Sequence, residues 1–294
     1  KDITHMLTTK RLFLKRTLFA ALACTAAAGL LSGCSKDEGA SGANSSEAPA
    51  SAQSDADDLL SRIKARGVVT IAMEGTWSPW TFHDAKGELT GFDVAVGKAL
   101  AQAIGVKAEF IEGKWDGLLA GLDAGRYDLM INGVGITPER QRAYDFSTPY
   151  AFDRVAVIVN NDRSDMKTMA DLKGKHTANT ISSTYAETAE KAGAKVTGVD
   201  DLNQTFELLR ARRIDATLNS EVTYADYMRA HPDAGIKIAF FVPEAGEIGI
   251  PLKKGADTAS LRKVVDDTIK AMRDSGELSR LSKEFFGIDI TTKK

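Results

Sequence analysis

Two tryptophan-bearing loops are the first places where this sequence could do chemistry. Trp77 lies in 75–80 and Trp115 lies in 114–119, and each segment directly follows a predicted strand. In an open parallel sheet, ligands bind at the loops that follow the carboxyl ends of the strands. We expect the two rings to face each other across a cleft, where they would cover the carbons of a small ligand and attract an ammonium. Trp80, which follows a proline, is expected to pack in the core.

A third loop, which also follows a predicted strand, has a pattern suited to binding an anion. Gly133 and Gly135 allow the backbone to approach a ligand closely. Thr137 and Pro138 are typical of a helix start, whose positive end favours negative charge. Arg140 follows with a planar guanidinium that matches the geometry of a carboxylate. The alternative for Arg140 is an ordinary surface ion pair.

Patterns for catalysis, for metals and for nucleic acids are absent from the sequence. There is no Gly-x-Ser-x-Gly motif and no glycine-rich phosphate loop, and the cysteines Cys24 and Cys34 both precede the predicted folded part. The 4 histidines lack metal-ligand spacing. A net charge of −2 leaves no basic surface for a nucleic-acid backbone. We therefore predict a binding protein without enzymatic activity, cofactor or metal.

The three loops must be positioned by strands and helices that alternate along the chain. A length of 294 residues is enough for two domains of ~100–200 residues each. A first series has predicted strands at 68–72, 107–111 and 127–131 and helices at 57–66, 92–104 and 115–124. A second series has strands at 154–159, 214–218 and 236–242 and helices at 184–192, 204–212 and 221–230, followed by a strand at 248–253 and two C-terminal helices. This alternation indicates an α/β fold with largely parallel sheets that helices cover on both faces.

The first 33 residues have the pattern of a secretory leader. Basic residues precede a short apolar run, 17–31, which is shorter than the ~20 residues that a membrane-spanning helix needs. The run ends in Leu31-Ser32-Gly33-Cys34, which resembles the bacterial lipoprotein box, in which the cysteine is lipidated and begins the mature chain. A plain secretory signal is the alternative. Residues 34–56 are rich in Ser, Ala and Gly and predict a flexible tether.

Short motifs are spread over 57–290 in an order that is typical of one family. They are Gly91-Phe92-Asp93, Trp115-Asp116-Gly117-Leu118, 136–140, 145–150, 249–255 and 285–287. Together they resemble the periplasmic solute-binding proteins of ABC importers, specifically the family for polar amino acids. The resemblance implies a two-lobed α/β fold, each lobe a mostly parallel sheet flanked by helices, with a two-crossing hinge. The implied limits are 57–152 plus 244–294 for lobe 1 and 153–243 for lobe 2.

The resemblance also implies roles for residues of the first lobe. The arginine that matches Arg140 clamps the α-carboxylate of the ligand, helped by backbone groups that match Gly133 and Gly135. Aromatic residues that match Trp77 and Trp115 pack on the ligand side chain. Glu74 occupies the position where the family often binds the polar end of that side chain.

For the second lobe, the resemblance implies a cap on the ligand carboxylate and leaves the ammonium site open. The cap consists of N–H groups at a helix start: Ser182, Ser183 and Thr184. Many family members place an aspartate for the α-ammonium at the position of Ser220. Here either Glu221 takes that role, or Ser220 does so through a water.

The function that the resemblance implies is capture of a polar L-amino acid outside the cytoplasm and delivery to a membrane permease. The aromatic pair, the 180–185 segment and the Asn219-Ser220 pair are most similar to binders of cystine and cysteine. The protein is expected to be a monomer, anchored to the bacterial membrane by a lipid on Cys34. The alternative is an enzyme similar to periplasmic cyclohexadienyl dehydratases, which would need a general acid such as Glu74 or Glu221.

Overall fold

A computed structural model of the chain describes residues 58–293. The predicted leader 1–33, the lipid anchor at Cys34 and the tether 34–56 lie outside the described residues. The helices are α1 Leu59–Arg66, α2 Phe92–Ile104, α3 Trp115–Asp123, α4 Pro138–Ala143, α5 Thr184–Lys191, α6 Leu202–Arg210, α7 Glu221–Ala230, α8 Ala259–Asp274 and α9 Glu277–Phe286. The strands are β1 Val68–Met73, β2 Phe82–His83, β3 Leu89–Thr90, β4 Lys107–Glu112, β5 Leu129–Met130, β6 Tyr144–Phe146, β7 Ala151–Asp153, β8 Val155–Asn160, β9 His176–Asn179, β10 Lys195–Gly198, β11 Thr217–Ser220, β12 Ile236–Phe241, β13 Gly246–Ile248 and β14 Pro251–Lys253.

The first sheet is parallel, in the order β4-β1-β5, as the alternation of strands and helices predicts. Its central strand β1 is an apolar run in which Val69, Ile71 and Met73 are fully buried. Such runs are typical of parallel strands, because crossover helices cover both faces of the sheet. Here α2 and α3 provide the crossovers, so the loops after β1, β4 and β5 all emerge at the same edge.

Local capping groups fix the ends of the helices that matter for the site. Helix α2 ends at Gly105, which has φ 84° and donates its N–H to the carbonyls of Ala101 and Gln102. Helix α4 begins as predicted: the side chain of Thr137 accepts from the N–H of Arg140 at 3.1 Å, and Pro138 is the first helical residue. The N-cap contact therefore fixes the backbone from which the Arg140 side chain projects.

The second sheet contains one antiparallel strand, β8, among strands that run parallel to one another. Strand β8 lies between β11 and β12 and runs antiparallel to both. The parallel pair β9 and β10 continues the sheet through a bridge between Thr177 and Ala216. The physical reason is that β8 follows directly from β7, so the chain enters this sheet without the helical crossover that a parallel strand would need.

Two short strands carry the chain between the sheets. Strand β7 leads from the first sheet to the second, and β13 leads back; they pair antiparallel, with Asp153 opposite Gly246. The predicted single strand at 248–253 is wrong, because the segment forms β13 against β7 and β14 against β6. The break falls at Gly249, where a Cβ atom would lie 2.7 Å from Ile136.

The core of the first sheet contains an aromatic cluster. Trp80 is fully buried, with its ring centroid 4.8 Å from that of Phe286 and 6.0 Å from that of Phe92, so its predicted place in the core is confirmed.

Among residues 58–293, no helix has both the length and the apolar character needed to cross a bilayer.

Candidate functional site

A cavity of about 210 Å³ lies between the loops that leave the first sheet and the start of α5 in the second. One water needs ~10–15 Å³ by the same kind of measure, so the cavity has room for an organic molecule. Strands β7 and β13 form part of its wall. The sequence-predicted site residues that line it are Glu74, Trp77, Trp115, Gly133, Gly135, Arg140, Ser183 and Thr184.

Arg140 places a buried cation on the cavity wall. Only 7% of the residue is exposed, and its guanidinium donates to the carbonyls of Gly135 at 3.1 Å and Ser182 at 2.9 Å. The guanidinium carbon also lies 5.2 Å from the ring centroid of Trp115. Burial lowers the pKa of Arg140. The negative charge of Glu187 partly offsets this shift, although the two side chains do not form an ion pair. Within 58–293, no carboxylate forms an ion pair with Arg140. The positive charge of Arg140 is therefore available to an anion in the cavity.

Different partners hold the two cavity tryptophans in place. Trp77 stacks on Trp80 with centroids 5.4 Å apart and meets Tyr185 edge-on at 6.4 Å. Trp115 instead lies against Arg140. Both tryptophans are 9% exposed and line the cavity, so they supply its flat apolar surface. We predicted from the sequence that the Trp77 and Trp115 rings face each other. In the structure, the ring of Trp77 contacts Trp80 and Tyr185, and the ring of Trp115 contacts Arg140.

Glu74 is held at the end of β1 by a reciprocal pair of hydrogen bonds. Its backbone N–H donates to Oδ1 of Asn132 at 2.8 Å, and Nδ2 of Asn132 donates to its carboxylate at 2.7 Å. Burial raises the pKa of Glu74 to about 7, and the nearby charges of Asp116 and Asp201 act in the same direction. This wall of the cavity is therefore acidic and would favour a cation.

Asp93 supports the loop after β5 from beneath. The carboxylate is fully buried in the first turn of α2 and accepts from the backbone N–H of Gly133 at 2.6 Å and the hydroxyl of Tyr150 at 2.8 Å. Burial raises the pKa of Asp93 to about 7. Because Asp93 takes the N–H of Gly133, the carbonyl of that glycine is its remaining polar group. Gly133 itself has φ 55°, and a Cβ atom there would lie 2.6 Å from the Trp77 ring.

A further buried carboxyl, Asp153, was missed by the sequence analysis. It lies on β7, lines the cavity and is 2% exposed. It accepts from Ser220 Oγ at 2.6 Å and from the Tyr185 hydroxyl at 3.0 Å, and burial raises its pKa to about 7. Glu74 is half-buried, whereas Asp93 and Asp153 are buried, and we refer to the three together as the raised-pKa carboxyls. The available signal was an aspartate between two apolar stretches, at 150–152 and 155–159.

The second sheet contributes the segment before α5. Ser183 caps this helix by accepting from the N–H of Ala186 at 3.1 Å, and Thr184 lines the cavity. The carbonyl of Ser182 accepts from Arg140, and Ser182 has φ 64°, a conformation that is uncommon for residues other than glycine. Ser183 and Thr184 therefore line the cavity, although the Ser183 N–H donates to the carbonyl of Thr180 at 3.2 Å, and Ser182 contacts Arg140 directly.

The two residues predicted for the ligand ammonium do not line the cavity. Ser220 is fully buried, and its hydroxyl donates to Asp153. Glu221 begins α7 and pairs with Arg154 at 3.5 Å. Asn179 does line the cavity, and its Oδ1 atom has no hydrogen-bond partner among the described residues. Sequence reasoning missed Asn179 as well, since its position at the end of β9 carries no motif.

Direct contacts also cross the cleft at its rim. The hydroxyl of Ser78, in the loop after β1, donates to the carboxylate of Asp226 on α7 at 2.7 Å. Lys114, before α3, pairs with Asp200 at 2.8 Å. With the Arg140 contact to Ser182, these bonds hold the two sides of the cavity together. No cluster of three or more potential metal ligands occurs in 58–293.

Comparison with known proteins gives consistent matches over the described part of the chain. The sequence profile of the bacterial extracellular solute-binding proteins, family 3, matches residues 69–288. The L-cystine-binding protein TcyA of Bacillus subtilis is 37% identical over 235 residues, which is 80% of this chain and 87% of that protein.

Two solved structures extend the comparison. The L-cystine solute receptor of Neisseria gonorrhoeae, in its unliganded open conformation, is 42% identical with a TM-score of 0.56, over 80% of this chain and 99% of that one. The ancestral amino acid-binding protein AncCDT-1, a precursor of cyclohexadienyl dehydratase, is 28% identical with a TM-score of 0.71, over 77% and 99%. These likenesses cover both sheets and the strands between them.

Proposed function

This chain belongs to the bacterial extracellular solute-binding proteins of family 3, and on that premise we propose that it captures a polar L-amino acid for an ABC importer. The ligand would bind between the two sheets, and a membrane permease would receive it. The family is extracellular, so the site works outside the cytoplasm. Relatives that are named amino-acid-binding or L-cystine-binding proteins support this proposal.

The observation that carries the proposal is the charge pattern of the cavity wall. Arg140 presents a buried cation without a carboxylate partner in 58–293, and carboxyls such as Glu74 line other parts of the same wall. A buried charge is costly until an opposite charge compensates it. A zwitterion brings both charges at once. The α-carboxylate would lie on Arg140, with the helix start at Ser183 and Thr184 beside it.

We propose cystine, or cysteine, as the ligand class. Cystine is a polar amino acid with a sulfur-containing middle and charged groups at both ends. Trp77 and Trp115 would cover the middle, since sulfur packs favourably on aromatic rings. Glu74 would accept the far ammonium. The names of TcyA and of the Neisseria gonorrhoeae receptor support the same ligand class.

We also propose the anchoring and lobe limits that the sequence suggests. Lipidation at Cys34 would hold a monomer near its permease, joined by the tether 34–56. Replacing Cys34 with serine should move the protein from the membrane fraction to the soluble extracytoplasmic fraction. The lobes would be 57–152 plus 244–294 and 153–243, closing about β7 and β13. Ligand should then lower the radius of gyration measured by small-angle X-ray scattering.

Thermal unfolding with the twenty amino acids and L-cystine tests the proposed function. A ligand at 100 times its Kd adds about 2.7 kcal/mol to the free energy of unfolding, which raises the midpoint by a few degrees. We expect the largest shift with L-cystine. A larger shift with a different amino acid would refute cystine as the ligand and leave the proposal of amino-acid capture standing. No shift with any amino acid would refute the proposal, and turnover of prephenate would then support a dehydratase.

A further inference from the structure

Asp153 is a buried carboxylate on one of the two strands that connect the sheets. It is 2% exposed, yet its residue lines the cavity beside Val155 and Gly246. A carboxylate in such a place is costly unless hydrogen bonds and an opposite charge compensate it. The groups that face Asp153 from each element packed around it therefore decide whether its charge is compensated.

Neutral donors and one acid surround Asp153. From α5, the Tyr185 hydroxyl donates to it at 3.0 Å, and from the end of β11, Ser220 donates at 2.6 Å. Glu221, at the start of α7, adds negative charge nearby. The neighbouring cation Arg154 pairs with Glu221 and stacks on the Phe241 ring at 3.7 Å. No cation within 58–293 pairs with Asp153, and a carboxylate with two donors still has room for two more hydrogen bonds.

The wall of the same cavity carries an acceptor that has no hydrogen-bond partner among the described residues. Asn179 is 2% exposed and lines the cavity, and its Nδ2 donates to the carbonyl of Leu218 at 2.7 Å. That bond turns Oδ1 of Asn179 away from Leu218, and Oδ1 has no donor among the described residues. A group with several N–H donors and a positive charge fits this combination of acceptors. A primary ammonium has three such donors.

We propose that Asp153 accepts the α-ammonium of the ligand, with Ser220 and Tyr185 as positioning residues that hold its carboxylate. This inference rests on the proposed function and deepens it. Recognition of the ammonium then comes from the connecting strand β7, and neither Ser220 nor Glu221 contacts the ligand charge directly. The site would bind carboxylic acids that lack an amine more weakly than the amino acid, because Asp153 would stay buried without a cation.

The test compares two ligands on two proteins by isothermal titration calorimetry. The ligands are the amino acid with the largest thermal shift and its counterpart without amines, which for L-cystine is 3,3′-dithiodipropionate and for L-arginine is 5-guanidinopentanoate. Asp153→Asn keeps the shape of the side chain and removes its charge. We expect it to weaken amino-acid binding by about 100-fold or more and binding of the amine-free acid by less than about threefold. A purely structural role would weaken both ligands equally, which would overturn the proposal.

Two further variants keep the test decisive. Glu221→Gln removes the other carboxylate near Ser220, and we expect less than about a threefold change in amino-acid binding. A large loss in Glu221→Gln with none in Asp153→Asn would assign the ammonium to Glu221 instead. If Asp153→Asn does not fold, as judged by circular dichroism, Asp153→Ser removes the charge with a smaller side chain. We expect this variant to weaken amino-acid binding and to spare the amine-free acid in the same way, and an equal loss for both ligands in the folded variant would overturn the proposal.

Failure of this inference is distinguishable from failure of the proposed function. If the natural protein binds no amino acid, the proposed function is wrong and the inference falls with it. If the natural protein binds an amino acid and Asp153→Asn binds it equally well, the inference alone is wrong.

Discussion

Replacing Arg140 with methionine should remove ligand binding and leave the unliganded fold nearly unchanged. Methionine fills the space of the aliphatic part of the arginine side chain but has no guanidinium to lie over the Trp115 ring. In the unliganded protein, the substitution removes a buried cation, which favours folding. It also leaves the carbonyls of Gly135 and Ser182 without their donor, which disfavours folding by ~1–3 kcal/mol for each that stays buried. Because these effects oppose each other, we expect a small change in the unfolding midpoint.

The expected loss of affinity is much larger. Removing one partner of a buried charge pair costs ~3–5 kcal/mol, and each 1.4 kcal/mol is about tenfold in Kd, so binding should weaken by roughly two to three and a half decades. Isothermal titration calorimetry with L-cystine measures this directly. Arg140→Lys keeps the charge but not the planar guanidinium and should lose less.

The matched control lies on the same short helix. Arg142 is exposed and contributes no side chain to the cavity, so Arg142→Met should leave the Kd unchanged. A loss below about tenfold in Arg140→Met would remove Arg140 from the carboxylate site. An equal loss of affinity in both variants would mean that the net charge of the helix determines ligand binding and that a specific contact with Arg140 does not.

Three further outcomes follow from the structure. Desolvation raises the pKa of Glu74, Asp93 and Asp153 to about 7, so the folded state holds more protons than the unfolded state between pH ~4 and ~7. The unfolding midpoint of the unliganded protein should therefore fall as pH rises through that window, and a steady rise from pH ~5 to ~7 would contradict this. Gly133→Ala should lower the free energy of unfolding, measured by denaturant titration, more than Gly125→Ala does. Both glycines have a positive φ, but only at Gly133 would a Cβ atom clash with the Trp77 ring. Equal losses would show that backbone strain alone causes the destabilisation. Ser78→Ala removes the hydrogen bond to Asp226 across the cleft and should weaken ligand binding about fivefold. The loss should appear as faster ligand dissociation in stopped-flow measurements. An unchanged dissociation rate would show that this contact does not hold the cleft closed.

The sequence predicted the elements whose ends carry local signals. Helix α2 occupies the predicted residues because an apolar periodicity of one helical face runs between two glycines, Gly91 and Gly105. Helix α7 likewise has its predicted bounds. The short strands β6, β7 and β13 have no such signal, because partners far along the chain create them. The apolar run at 248–253 reads as one strand, and only the fold shows that it changes partner at Gly249.

The same distinction holds for the site. Arg140 follows a local pattern of glycines, an N-cap and a proline, and the structure places it on the cavity wall. Asp153 depends on Tyr185 and Ser220, which are 32 and 67 residues away in the chain, so no local pattern marks it as a buried acceptor. Ser220 was predicted as a ligand contact, whereas the structure shows it bonded to the carboxylate that lines the cavity.

The position of Asp153 opposite Gly246 has a mechanical consequence. If the lobes close about β7 and β13 as proposed, a ligand held at Asp153 would lie near the axis of that motion, and a small rotation there would give a larger displacement at the rim of the cleft. Lys114 and Asp200 stand at that rim, 2.8 Å apart between Nζ and Oδ2. A pair of dyes attached at these two positions should therefore report ligand arrival with a large change in distance, while dyes near β7 and β13 would hardly move. Under the proposed closure, the chain would suit an optical sensor in which the ligand binds near the axis of motion and the dyes lie at the rim.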